Sequence, residues 1–266
     1  MDWQERSRRL IGDDSIVALG HAHVIVFGLG GVGSFAAEAL ARSGVGKLSL
    51  VDYDAVADSN RNRQLPALSG TVGRLKVDVV ETRLKDINPE LDIRTYPHKA
   101  TRENIDSFFN GLGETPGFIA DAIDDLPAKV SLIVAALRMG APIISSMGAA
   151  YRLDPTKLEI GDISKTHTCP LARRLRRALR DEGVTEGLPV VWSRERPIAG
   201  LANGVGANVS SAGGDMAEGV DDEAGDEANG VGTGIAAGRA GPASMVFVPA
   251  AAGILMASYI IRTLIN

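Results

Sequence analysis

Cysteine is almost missing from this 266-residue chain: Cys169 stands alone. One thiol can build neither an intrachain disulfide framework nor a four-cysteine zinc site. Such sparing use suits a reducing compartment, so a cytoplasmic protein is expected. The opening residues, Met1 to Arg6, lack the charged-then-apolar order of a secretory signal. An excess of positive charge is missing too. The net charge is −5, so any nucleic-acid partner would have to be met by a local basic patch. There is no internal repeat, and no nucleophile or acid–base triad stands out. Apolar (45%) and charged (23%) residues occur in the proportions of an ordinary soluble globular protein.

Long hydrophobic runs are scarce, with one exception. From Ala243 to Ile261 the chain is nearly uncharged and close to the length of a membrane helix. Pro249 and Gly253 interrupt the run, and Ser258 and Tyr259 are polar. It opens with Met245-Val246-Phe247-Val248, which reads as a strand. The expectation is therefore a strand followed by a buried helix, with no membrane contact.

The first 150 residues alternate strand-like and helix-like patterns. Strands are expected at 23–27, 47–52, 93–96, 117–123 and 142–146, with helices at 32–42, 72–87 and 127–139 between them. This alternation predicts an α/β fold: a Rossmann-like, mostly parallel sheet with helices on both faces. Beyond Tyr151 the pattern loosens into a smaller, irregular C-terminal part, with strands at 157–163 and 189–193 and a basic helix at 170–182. The segment from about 200 to 241 is dominated by Gly, Ala, Asp and Glu, and predicts a disordered insertion. Apolar sequence resumes after it, so residues 1–266 read as one domain carrying that insertion.

Gly28-Leu29-Gly30-Gly31-Val32-Gly33-Ser34 follows a strand and opens a helix. Such glycines permit a tight turn, and bring phosphate oxygens onto exposed N–H groups at the positive end of the helix. Asp52 ends the next strand, about 20 residues on, where an acid can accept from ribose hydroxyls. NAD and ATP fit these two features equally well. Basic groups then follow in Ser59-Asn60-Arg61-Asn62-Arg63-Gln64 and at Lys76. They suit a triphosphate that loses pyrophosphate better than a dinucleotide, because arginine neutralises charge with a fixed fork and lysine as a point charge. A solvated basic loop would also account for them.

Six ordered motifs lie within roughly 100 residues: Gly28 to Ser34, Val51 to Asp54, Ser59 to Gln64, Val72 to Lys76, Ile87 to Pro89, and Asp121 to Asp124. Together they resemble the adenylation domain of the ubiquitin-activating-enzyme-like superfamily. The resemblance implies ATP and Mg²⁺ as the nucleotide and metal. The glycine loop (Gly28, Gly30, Gly31, Gly33), Asp52, Asp54, Asn60, Arg63, Lys76 and Asp124 would then form the ATP site. Within it Asp52 would hold the ribose, and Asn60, Arg63 and Lys76 the triphosphate, with Arg63 stabilising the departing pyrophosphate. Asp124 would lie near the metal and the α-phosphate. Arg63, Lys76 and Asp124 are the expected catalytic set. Arg9 is similar to an arginine that reaches the partner subunit's ATP in dimeric members, which implies a homodimer; a surface arginine on an N-terminal helix is the other reading.

Members that activate sulfur-carrier proteins usually have two Cys-x-x-Cys pairs and a catalytic cysteine, which one cysteine cannot supply. The second half instead resembles the bacterial tRNA threonylcarbamoyladenosine dehydratase family, in Leu153-Asp154-Pro155-Thr156, Asp162 to Thr166, Cys169 to Arg173, Val191 to Glu195 and Ser244 to Pro249. That resemblance implies adenylation of a carboxylate on modified tRNA, followed by cyclisation with loss of AMP. Adenylation of a sulfur-carrier or sulfur-transfer protein partner is the alternative, with an NAD-dependent oxidoreductase behind it. For tRNA, the candidate contacts are Arg173, Arg174, Arg176, Arg177 and Arg180, opposite an apolar stripe of Leu171, Leu175 and Leu179. A solvated amphipathic helix would show the same pattern. His167 and Cys169 make a poor metal pair, and the single cysteine reads as a packed side chain.

Overall fold

His23–Phe27 forms the first strand, β1, whose five residues are all buried, as a strand covered on both faces requires. The other strands are β2 (Lys47–Val51), β3 (Asp92–Tyr96), β4 (Phe118–Asp121), β5 (Ile143–Ser146), β6 (Leu158–Asp162) and β7 (Pro189–Ser193). In this computed structural model, which describes residues 2–198 and 243–266, they join in one seven-stranded sheet, ordered β3-β2-β1-β4-β5-β7-β6. Every pairing is parallel except that of β6 with β7. The chain runs outward from β1 to β2 and β3, then crosses back to β4 and β5. β1 and β4 therefore flank the switch point at which crevices open above a parallel sheet.

Helices α1 (Glu5–Ile11) and α2 (Asp13–His21) precede the sheet. One face is covered by α3 (Gly33–Arg42), α4 (Lys76–Ile87) and α8 (Phe247–Leu264), the other by α5 (Ile105–Leu112), α6 (Leu126–Arg138) and α7 (Pro170–Asp181). The two-residue period of β1 sends Val24 and Val26 into the first core, Ile25 and Phe27 into the second. The C-terminal part continues the same layers: β7 pairs with β5, and Met256 and Ile260 of α8 join the core under α3.

The expected strand at 245–248 is absent. Phe247 and Val248 open α8 instead, and Pro249 stands in its first turn, where a missing N–H costs no helical bond. A short apolar run cannot by itself distinguish a buried helix from a strand. The expected helix at 72–87 starts later, at Lys76. Residues before it pair with the chain after β2: Val56 N–H donates to Arg74 O, Gly73 N–H to Val56 O and Lys76 N–H to Asp54 O, at 2.8, 2.8 and 3.0 Å. Helix α5 was not anticipated, although Ile105, Phe109 and Leu112, its buried residues, recur at helical spacing. The insertion expected at about 200–241 lies outside the described residues.

The contact between α3 and α8 is close because small residues form part of it. Gly253 of α8 meets Phe35 and Ala36 of α3 and Val32 just before it, in a core that also holds Ala37, Ala41, Ala252 and Ala257. A methyl group at Gly253 would overlap the carbonyl oxygen of Val32 and stand 3.0 Å from Ala36 N. Because the obstacle is backbone, a larger residue must push the helices apart. Gly253→Val should destabilise the fold by about 1–3 kcal/mol through overpacking. Thermal unfolding checks this: the melting temperature should fall by several degrees, whereas Ile254→Val, at a half-exposed position, should leave it nearly unchanged.

Candidate active site

The turn after β1 is shaped by contacts that leave no room for Cβ atoms. Gly28 has φ +85°, and a methyl there would lie 2.8 Å from the carbonyl oxygen of Ala122; one at Gly33 would overlap Gly28 O. The first turn of α3 is thereby laid on the ends of β1 and β4, its free N–H groups facing the crevice. β2 adds the next layer. Gly28 N–H donates to Val51 O at 2.8 Å. The Asp52 carboxylate accepts from Leu29 N–H (2.6 Å) on one oxygen and from Asp54 N–H (2.8 Å) on the other. Asp52 is buried, and burial pushes its pKa above the ordinary carboxylate value, against the opposing pull of Lys76 and of those two N–H donors.

A cavity of about 310 Å³ opens above these strand ends, lined by Gly28, Gly30, Gly31, Asp52, Asp54, Arg63, Lys76 and Asp124 among others. That is within the size range of small-molecule sites. Lys76, at the start of α4, is buried along its stem, and its ammonium donates to Asp54 Oδ2 at 2.7 Å. The pairing of the preceding residues with 54–56 sets this register. Arg63 is half-buried and oriented from behind: its Nη1 donates to Ser59 O at 2.8 Å and to Asn62 Oδ1 at 2.9 Å. Asn62 in turn donates to Ser244 O at 2.8 Å, tying this loop to the segment that enters α8. Asp124 is exposed on the loop after β4 and forms no ion pair among the described residues.

Other expected site residues fall elsewhere. Asn60 is not part of the cavity wall; its Oδ1 accepts from Ala57 N–H at 3.1 Å and closes the turn before Arg63. Gly33 lies beneath the cavity, as a packing position. Arg9 is exposed on α1, ion-paired with Glu5 on the same helix and away from the cavity of its own chain. Of the α7 arginines, Arg173, Arg174, Arg177 and Arg180 are exposed. Arg176 differs: it is half-buried and donates to the carbonyl of Thr166, at 2.8 Å, and to its hydroxyl. Cys169 is buried, as expected of a packed thiol.

The structure adds groups that sequence reasoning left without a role. Gln64 lines the cavity, and its Oε1 is buried without a hydrogen-bond partner, an arrangement that a ligand donor would complete. Lys99 lies at the rim, 3.5 Å from Asp125 and 5.7 Å from the centre of the Tyr53 ring. Ser146 to Ala150, at and beyond the end of β5, and Leu171, in the first turn of α7, form the far wall. Only their position past the strand ends at the switch point could have marked them. An adjoining bay of about 330 Å³, lined by Tyr96, Ile105, Phe108 and Leu112, shares Phe27, Val51 and His98 with the cavity.

Among the described residues no three His, Cys, Asp or Glu side chains gather as a metal cage. One exposed carboxylate, Asp124, at the edge of the cavity fits a magnesium ion, which characteristically takes one or two protein carboxylates and fills its shell from phosphates and water.

Comparison with known proteins yields consistent matches. The model of the ThiF family matches residues 4–266. The tRNA threonylcarbamoyladenosine dehydratase of Bacillus subtilis (strain 168) is 42% identical over 263 residues, covering 98% of this chain and 94% of that protein. The Escherichia coli (strain K12) protein of the same name is 36% identical over 212 residues, 76% of this chain and 78% of its own. The crystal structure of E. coli tRNA N6-threonylcarbamoyladenosine dehydratase, TcdA, in complex with ATP has a TM-score of 0.78 at 28% identity, covering 99% of this chain and 96% of that one.

Asp52 provides a test of the nucleotide site. Its raised pKa means that protonation, which would remove acceptor capacity for the ribose hydroxyls expected there, begins above the pH of about 4 at which a free carboxylate titrates. ATP binding should therefore weaken as pH falls from 7 through that raised value. Asp52→Asn should weaken binding at pH 7 by about 10- to 100-fold and lose this limb of the pH dependence. Calorimetric titration with ATP across pH, wild type beside variant, checks both.

Proposed function

Because the chain belongs to the ThiF family, we propose that it is an ATP-dependent adenylating enzyme that cyclises threonylcarbamoyladenosine in tRNA by dehydration. One observation carries this reading. The cavity gathers the glycine loop, Asp52, Arg63, Lys76 and Asp124 at one switch point, in a chain that matches the B. subtilis dehydratase over nearly its whole length.

The residues present suit the chemistry. A carboxylate is a poor electrophile because its leaving group would be an oxide. When one of its oxygens attacks the α-phosphorus of ATP, pyrophosphate departs and the carboxylate becomes an acyl-adenylate with AMP as leaving group. A neighbouring atom of the same modification then displaces AMP and closes the ring. The protein positions the reactants and stabilises charge where it develops. Asp52 accepts from the ribose hydroxyls, and the N–H groups at the start of α3 meet phosphate oxygens. Arg63 and Lys76 lie where the departing pyrophosphate gathers charge. Asn60 supports Arg63 through its turn. Asp124 would hold Mg²⁺, which when bound neutralises phosphate charge.

The tRNA would be held beside this site. Leu171 of α7 is in the cavity wall, while Arg173, Arg174, Arg177 and Arg180 are exposed along the rest of that helix. A 12-residue helix extends about 18 Å, enough to follow several phosphates leading away from a nucleotide seated in the cavity. Arg176 supports this surface from within. The reading also takes the protein to be a cytoplasmic homodimer needing no membrane. Arg9 would then serve the partner's ATP; it is exposed and lies outside its own cavity.

Incubation of the purified protein with ATP, Mg²⁺ and tRNA carrying threonylcarbamoyladenosine, followed by mass analysis of nucleosides, should show the dehydrated nucleoside with release of AMP and pyrophosphate. Absence of that product, with adenylation of a small glycine-ended protein instead, would overturn the reading in favour of sulfur-carrier activation. Arg63→Ala and Asp124→Ala should each lower kcat by about 10²-fold or more with unchanged far-ultraviolet circular dichroism. Replacing Arg173, Arg174 and Arg177 by Glu should weaken tRNA binding and reduce its log–log salt slope by about 0.7–0.9 for each phosphate that is no longer neutralised, while ATP binding is unaffected.

A further inference from the structure

Beneath the candidate site is a buried charge that does not line the cavity. Lys129 of α6 is fully buried, and its ammonium makes three bonds: to Asp121 Oδ2 (2.7 Å), Ser145 Oγ (3.0 Å) and Ser146 O (3.1 Å). Asp121, the last residue of β4, is fully buried as well. Its Oδ2 also accepts from the Ser145 hydroxyl at 2.6 Å, and its Oδ1 accepts from Ile123 N–H at 3.1 Å. All three ammonium hydrogens and both carboxylate oxygens are thus committed.

Burying such a pair is costly, and an apolar replacement of the same volume often stabilises a fold equally well. Stability alone is therefore a weak explanation for it. What it joins is more informative. Through Ile123 N–H it grips the loop Ala122–Asp125, which carries Asp124. Through Ser145 and Ser146 O it grips the end of β5, from which Ser146 to Ala150 line the far wall. Ala122, between Asp121 and Ile123, is the backbone against which Gly28 is seated. Three walls of the cavity meet at one ion pair that itself touches none of its open space.

We infer that Lys129 and Asp121 are positioning residues for the adenylation reaction, holding the Asp124 loop, the glycine loop and the wall after β5 in register for attack at the α-phosphorus. This rests on the proposed adenylating function. An unpaired buried charge would unfold the protein whatever its role, so the test uses the neutral double variant Asp121→Asn/Lys129→Met, together with Ser145→Ala, which removes one support and no charge. Melting temperature, calorimetric ATP affinity, kcat and KM for pyrophosphate release with modified tRNA, and amide hydrogen exchange of ATP-bound protein are measured beside wild type.

The double variant should melt within a few degrees of wild type and bind ATP with about the same affinity, while kcat falls about 10²-fold, the scale of a misplacement of about 1 Å. Ser145→Ala should lower kcat by about tenfold with KM for ATP unmoved, and in both variants the amides of Ala122–Asp125 and Ser146–Ala150 should exchange faster. Wild-type kcat in a folded double variant, or a double variant that fails to fold together with a Ser145→Ala variant of normal kcat, would overturn the inference and leave the pair a fold-stabilising contact. If wild type releases no pyrophosphate, the proposed function fails, and exchange still decides the positioning: protection of both segments unchanged from wild type overturns it, and faster exchange supports it.

Discussion

The molecule is organised around one close approach of backbone to backbone. Where β1 turns into α3, Gly28 rests on Ala122 at the end of β4 and Gly33 rests on Gly28 itself. A single methyl group at either place would separate the helix from the sheet. This contact fixes the direction of α3, and with it the line along which free N–H groups meet the crevice. It also fixes where α8 can lie, because Gly253 is pressed onto the Val32 carbonyl at the other side of α3. The segment that enters α8 then supplies Ser244 to the cavity and an acceptor for Asn62. The glycine loop, the Arg63 loop and the C-terminal helix are three consequences of one steric constraint.

Charge is managed by a second principle: the site's ionic groups are held by partners that leave their function available. Lys76 is buried along its stem but ends beside Asp54 at the cavity. Arg63 is held by a backbone carbonyl and an amide, neither of which neutralises it. Asp52 accepts two backbone N–H groups, which orient its carboxylate without adding a counter-charge in contact with it. Lys129 is the contrast, because all its hydrogens are spent on protein acceptors. A group expected to meet a ligand keeps unsatisfied capacity; one that only shapes the site keeps none.

The same division separates the arginines of α7. Sequence spacing grouped five of them on a basic helix, yet Arg176 is turned to Thr166 while four others face outward. Spacing assigns a residue to a helix, and the helix's rotation against its neighbours decides whether a flexible side chain reaches solvent or protein.

Local sequence was sufficient for whatever short-range physics governs. The short apolar run at 23–27 and the glycines after it predicted the first strand, the turn and the start of α3, and the six ordered motifs identified Asp52, Arg63, Lys76 and Asp124 as one site. All four line the same cavity. The alternation of strands and helices predicted the parallel sheet. Tertiary structure decided what depends on partners far apart in the chain. Phe247 and Val248 opened a helix rather than a strand because the segment that follows packs on α3, with Gly253 against Val32 and Ala36, information found nowhere in residues 245–248. Helix α4 began late because residues 73–76 pair with 54–56. Lys129 reads in sequence as one more polar residue on an amphipathic helix. Only the arrival of Asp121, Ser145 and Ser146 from two neighbouring strands makes a buried cation tolerable there, since each acceptor lies 8 to 17 residues away along the chain and within 3.1 Å in space.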